Sequence, residues 1–181
     1  MAVIGCIADD FTGAGDGASF LAKGGMQVLL YNGIPGECEA LEGAGAIVIA
    51  LKSRTQDTGQ AVSDSLAAAD FLLKAGVKQI YFKYCSTFDS TPKGNIGPVA
   101  DALMDFLRAP YTLLCPALPV NGRTVVHGNL LVHGVPLHES PMKDHPLTPM
   151  WDSRIDRLMS PQSRYSCRWF SLKDVDILRK E

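Results

Sequence analysis

The 181-residue chain is 46% hydrophobic and 20% charged, the balance of an ordinary soluble globular domain with room for a sizeable core. A net charge of −2 leaves no basic surplus for nucleic acid or an anionic membrane, and the apolar runs are too short to cross a bilayer. Five cysteines, at 6, 38, 85, 115 and 167, form no CxxC pair, and the opening MAVIGCIADDF lacks a signal peptide's basic stretch, so a cytoplasmic protein with reduced thiols is expected.

Short apolar runs alternate with helical patterns through the first half, the signature of βαβ units around a mainly parallel sheet. Strands are expected at Val3–Ala8, Gln27–Tyr31, Ala46–Leu51, Gln79–Lys83 and Tyr111–Cys115, because strands buried on both faces read as unbroken apolar runs. Between them, Ala14–Lys23 reads as a helix ending at Gly24-Gly25. A second helix opens at Asp57 with Gln60 as a capping-box partner, and its apolar face is Val62, Leu66, Ala69 and Leu73. A third runs from Asn95, with Pro98 in its first turn, and stops before Pro110. Thr124–His127 and Leu130–His133 flank Gly128-Asn129, a turn suited to a β-hairpin. A proline-rich excursion follows, and Ser171 and Asp174 open a last helix through Leu178 that has no C-terminal cap. The expected fold is an α/β three-layer sandwich, with a β-hairpin and Pro-rich segment after the fifth strand. Residues 1–160 form one domain, and 161–181 begin a connection.

In open parallel sheets, ligands bind beyond the carboxyl ends of the strands. There the chain places Asp9, Asp10, Thr12 and Gly13 after the first run, and Lys52, Ser53 and Arg54 after the third. Lys83 ends the fourth and leads into Ser86, Asp89, Ser90, Thr91, Gly94 and Asn95. Asn121, Gly122 and Arg123 follow the fifth. Arg54, Lys83 and Arg123 offer cations to a carboxylate, Arg through a bidentate fork and Lys as a point charge. Asp9, Asp10 and Asp89 offer acceptors to hydroxyls, and a carboxylate beside a hydroxyl can take its proton in phosphoryl transfer. A small polyhydroxy acid suits that inventory. The competing reading has Asp9 or Asp10 capping the next helix and the cations in surface ion pairs. Gly94-Asn95 opens a helix whose amides can receive an anion.

Other motifs fit less well. Gly13-Ala14-Gly15-Asp16-Gly17 is G-x-G-x-G rather than a dinucleotide fingerprint, and no ribose-binding acid ends the second strand. Asp9-Asp10-Phe11 lacks the second aspartate of a phosphatase aspartate loop, and no P-loop occurs. His127, His133, His138 and His145 lack i, i+4 ligand spacing, so no metal site is assigned. Cys6, Cys85 and Cys115 read as small buried hydrophobes rather than nucleophiles.

The segments IADDFTGAGDGASFL, YFKYCSTFDSTPKGNIGPVADALMD, CPALPVNGRTVVHG and HPLTPM together resemble the four-carbon acid sugar kinase family. The form KYCSTFDST points to its 3-oxo-tetronate branch. The resemblance runs from Met1 to about Trp151. It implies a two-domain enzyme: an N-terminal domain binding the sugar acid, and a C-terminal domain, expected to be absent here, binding ATP with Mg²⁺. The implied reaction phosphorylates the 4-hydroxyl of a 3-oxo-tetronate, and this chain alone is expected to be inactive. Carried over residue by residue, the pattern covers Asp9, Asp10, Thr12, Gly13, Arg54, Lys83, Ser86, Asp89, Ser90, Thr91, Gly94, Asn95, Asn121, Gly122, Arg123 and His145. Asp89 and Asp10 are the candidate catalytic groups and the others bind substrate. A non-catalytic sugar-acid module and a kinase for threonate or erythronate are the alternatives, and a homodimer stays open.

Overall fold

The computed structural model describes residues 3–36, 43–171 and 174. The chain forms two compact units, one of Met1–Cys85 with Pro98–Tyr111, the other of Ser86–Gly97 with Thr112–Glu181.

The first unit is built on four parallel strands, β1 (Ile4–Ala8), β2 (Val28–Asn32), β3 (Ala46–Ala50) and β4 (Gln79–Lys83), in the order β2-β3-β1-β4. The inner strands β1 and β3 are almost wholly buried, which is why they are continuously apolar. Successive side chains point to opposite faces. On one face Cys6, Ala8, Val48 and Ala50 meet Ala14 of helix α1 (Phe11–Lys23). On the other, Ile7, Ile47 and Ile49 pack with Ala68 and Leu72 of α2 (Thr58–Lys74) and with Val99 and Leu103 of α3 (Ile96–Leu107). The expected layering, helices on both faces of a parallel sheet, is present.

Several local expectations need correction. Helix α1 begins at Phe11, ahead of the expected Ala14, because the Asp10 side chain accepts the Gly13 N–H at 2.8 Å and caps it. Asp57 caps α2 as expected, but Gln60 donates forward to Asp64 at 2.6 Å instead of closing a capping box. The fifth expected strand, Tyr111–Cys115, does not form: residues 111–117 carry no regular secondary structure. Tyr111 is 77% and Leu113 84% exposed, so the run lacks the two-sided burial its composition suggested. Prolines at 110 and 116 remove ladder donors at both ends.

The second unit holds an antiparallel sheet of three strands, β5 (Arg123–Val126), β6 (Asn129–Val132) and β7 (Val135–Pro136). Val126 pairs with Asn129, so the hairpin turn is His127-Gly128, one residue before the expected Gly128-Asn129. His127 and Gly128 have φ of 50° and 79°, and His133 and Gly134, between β6 and β7, have 50° and 84°. Positive φ at both central residues is the geometry that matches strand twist. The proline-rich stretch folds into 3₁₀ turns at Leu137–Glu139 and Pro141–Asp144, followed by helix α4 (Ile155–Met159). Leu130, Leu137, Met150 and Leu158 are buried there. The expected last helix falls mostly outside the described residues; within them, Ser171 N and Oγ donate to Asp174 at 2.7 Å.

Candidate functional site

In the first unit, β1, β3 and β4 end level with one another, Ala8 opposite both Ala50 and Lys83. The Asp9 amide donates to the Lys83 carbonyl at 3.0 Å, and the Arg54 amide to the Asp9 carbonyl at 3.2 Å. Three of the expected site segments therefore meet through the backbone before any side chain is considered.

The side chains complete a tight cluster. Arg54 donates through Nε to Asp9 at 3.0 Å and through Nη2 at 2.8 Å, and the same Nη2 lies 3.0 Å from Asp10. Asp9 is only 3% exposed. Burial pushes its carboxyl above the usual carboxylate range, against the hydrogen bonds and charge of Arg54. Burial pulls the Arg54 guanidinium down, but the Asp9 hydrogen bonds and charge carry it above its ordinary value. The fork expected to grip a ligand carboxylate is thus closed on Asp9, so Arg54 organises the site rather than offering a bidentate clamp.

Lys83 is placed differently. Its ammonium donates to the Tyr84 carbonyl at 2.9 Å and carries further donor capacity. It sits 3.3 Å from where a Gly13 Cβ would be, and that Cβ would also fall 2.6 Å from Asp10 Oδ1. Glycine at 13 is what lets the ammonium approach the first turn of α1. That turn contains no acidic residue, and a helix's leading N–H groups have no intrahelical partner. Thr12 is exposed on it.

The remaining sequence candidates belong to the second unit. Thr87 donates to Asp89 at 2.8 Å within the loop that begins at Ser86. Ser90 is 1% exposed and donates to Gln162 at 2.6 Å, so it serves the loop's own structure rather than facing a ligand. The Thr91 hydroxyl accepts the Lys93 N–H at 3.3 Å, its carbonyl the Gly94 N–H at 2.8 Å, and Asn95 is buried. Arg123, the first residue of β5, donates to the Asn121 carbonyl; Asn121 ends a 3₁₀ turn and Gly122 caps it, so these residues do not follow the expected strand directly. His145 Nδ1 accepts the Thr148 N–H at 3.1 Å, which leaves Nε2 to bear the ring hydrogen in the neutral form. Gln162 was missed: it lies 72 residues from Ser90 and belongs to no motif.

Among the described residues, no group of three or more His, Cys, Asp or Glu side chains could hold a metal ion, and no helix is long and apolar enough to cross a membrane. Among the described cysteines, Cys6 is buried as expected but Cys115 is exposed.

The family described as Sugar-binding N-terminal domain matches residues 4–180. A 3-oxo-tetronate kinase of Brucella melitensis is 56% identical over 161 residues, 89% of this chain and 37% of the relative. A solved structure from Salmonella typhimurium LT2 superposes with a TM-score of 0.94 at 50% identity, covering 98% of this chain and 42% of that one. One from Bordetella bronchiseptica, a domain-swapped dimer with bound citrate, gives 0.73 at 31% identity over 88% of this chain and 40% of its own. The chain spans less than half the length of these relatives. Its sheet, its strand-end cluster and this near-complete match identify the chain as a member of the sugar-binding N-terminal domain family.

Proposed function

We propose that this chain is the substrate-binding part of an ATP-dependent kinase that phosphorylates the 4-hydroxyl of a four-carbon sugar acid, a 3-oxo-tetronate. The observation that carries the reading is the Lys83 ammonium held beside Gly13 at the open end of α1, with Asp10 next to it. A cation at the start of a helix suits the substrate carboxylate, and Asp10 suits a hydroxyl. Asp9 fixes Arg54, and Arg54 in turn fixes Asp10. In the second unit, Asp89 is assigned to orient or deprotonate the 4-hydroxyl, and Ser86, Thr91, Asn121, Arg123 and His145 to contact substrate. The relatives named 3-oxo-tetronate kinase support the reaction, and the citrate-bound Bordetella structure supports affinity for a small hydroxy acid.

ATP supplies the phosphoryl group. The described residues offer no cage for Mg²⁺, so nucleotide and metal are assigned to the part of the longer relatives beyond the match. A homodimer is consistent with the Bordetella assembly, and a cytosolic setting with a sequence whose cysteines form no CxxC pair. The test is a transfer assay of the full-length protein with ATP and a panel of four-carbon acids, paired with calorimetric titration of each acid. Phosphorylation of a 3-oxo-tetronate is expected. Lys83→Met should weaken acid binding about tenfold or more, the loss of a charge-assisted contact. Binding without transfer would favour a non-catalytic module, and unchanged affinity in Lys83→Met would remove the carboxylate site.

A further inference from the structure

Gln162 is 9% exposed, and both ends of its side-chain amide are engaged. Oε1 accepts from the Ser90 hydroxyl at 2.6 Å and from the Gly97 N–H at 3.4 Å, and Nε2 donates to the Leu158 carbonyl at 2.9 Å. Its own N–H donates to the Met159 carbonyl at 2.9 Å. The carbonyl partner fixes which end is nitrogen, so the Ser90 hydrogen points at Gln162. Contact is close in the backbone as well. A Cβ at Gly97 would fall 2.5 Å from Gln162 Cβ and 2.6 Å from its carbonyl carbon, so only glycine fits there.

The chain just ahead of these contacts is under strain. Phe88, fully buried, has φ of 64°, a left-handed conformation that bulky residues rarely adopt. Such a conformation persists only where surrounding contacts over-determine it. Ser90 lies two positions after Phe88 and directly follows Asp89, and Gly97 is in the first turn of α3, so Gln162 pins both ends of the segment that carries Thr91 and Asn95.

We propose that Gln162 is a positioning residue for the sugar acid: it holds residues 90–97 so that the polar groups of that loop present one fixed geometry to the substrate. This rests on the reading of the chain as the acid-binding part of a kinase. It also revises the anion expectation at α3, since the Gly97 amide is already used by Gln162.

The experiment compares wild type, Gln162→Met and Gln162→Glu in the full-length protein. Three quantities are read: amide hydrogen exchange over 86–97, calorimetric affinity for the acid, and KM for acid and for ATP. Met keeps the length and removes the acceptor, whereas Glu keeps an acceptor for Ser90 and Gly97. Expected for Gln162→Met is faster exchange confined to this loop, about tenfold weaker acid binding and an unchanged KM for ATP, with partial rescue in Gln162→Glu. Gly97→Ala, which forces the same two backbones apart, should reproduce the Met result. Unaltered loop exchange, or a looser loop with unaltered acid affinity, overturns the proposal. A parallel rise in both KM values overturns it too, because that marks general destabilisation. A wild type that binds no four-carbon acid sinks the kinase reading itself and is seen before any variant is made.

Discussion

Asp9 and Arg54 are 45 residues apart in sequence, and their pairing is the most consequential contact at the scale of single residues. Asp9→Ala would remove the bidentate partner of a mostly buried guanidinium, and should cost about 3 kcal/mol in urea unfolding. The acid dependence of Asp9 has an unusual sign. Its folded carboxyl holds a proton more readily than the unfolded one, so from this group alone stability falls as pH rises from the ordinary carboxylate range through the raised folded value. Asp156 shows the opposite sign. The Arg154 hydrogen bonds hold its carboxyl below the usual range, so its contribution is present above the unfolded value and lost as pH falls through the folded one. Melting wild type and Asp156→Asn across a pH series should give a gap at neutral pH that closes in acid. Cys6 tests burial directly: desolvation pushes its thiol up to about 12, against the pull of Lys83. A thiol reagent should label exposed Cys115 in the native protein and reach Cys6 only after unfolding.

At the scale of elements, the sequence was readable where one physical rule acted alone. The β1 and β3 runs were found because burial on both faces leaves no polar position, the edge strand β4 because its centre, Ile80, Tyr81 and Phe82, is apolar, and the Asp57 cap because its side chain needs only neighbouring amides. Asp57→Ala should lower stability by about 1 kcal/mol, as measured by denaturant midpoint. The Tyr111–Cys115 run failed for the same rule read backwards: apolar composition is necessary for a buried strand but does not create a partner to pair with. The hairpin slipped by one residue because glycine and asparagine are the commoner turn pair, so Gly128-Asn129 looked a better turn than His127-Gly128. His127→Asn should therefore stabilise the hairpin by a few tenths of a kcal/mol, roughly 0.5, in thermal unfolding. The site followed a similar division. Strand-end positions such as Asp10 and Lys83 were legible from topology, whereas the closing of Arg54 on Asp9 and of Gln162 on Ser90 depends on folded distances that no spacing encodes.

Across the whole molecule, the two faces of the parallel sheet are unequal in thickness. Cys6 and Ala8 beneath α1 are slender, while Ile7, Ile47 and Ile49 on the reverse are broad. Small side chains let α1, which carries the Gly13 turn beside Lys83, lie close on that face. Adding bulk on that face should act at a distance on the Lys83–Gly13 approach: Ala8→Val should strain packing by about 1–3 kcal/mol and lift the ammonium's neighbour away from it. An equal loss of stability from Ile7→Val, on the broad side, should leave acid affinity untouched. Two variants matched in melting temperature but separated in ligand titration would show that the bulk of a few strand side chains gauges how near the helix start comes to the ammonium.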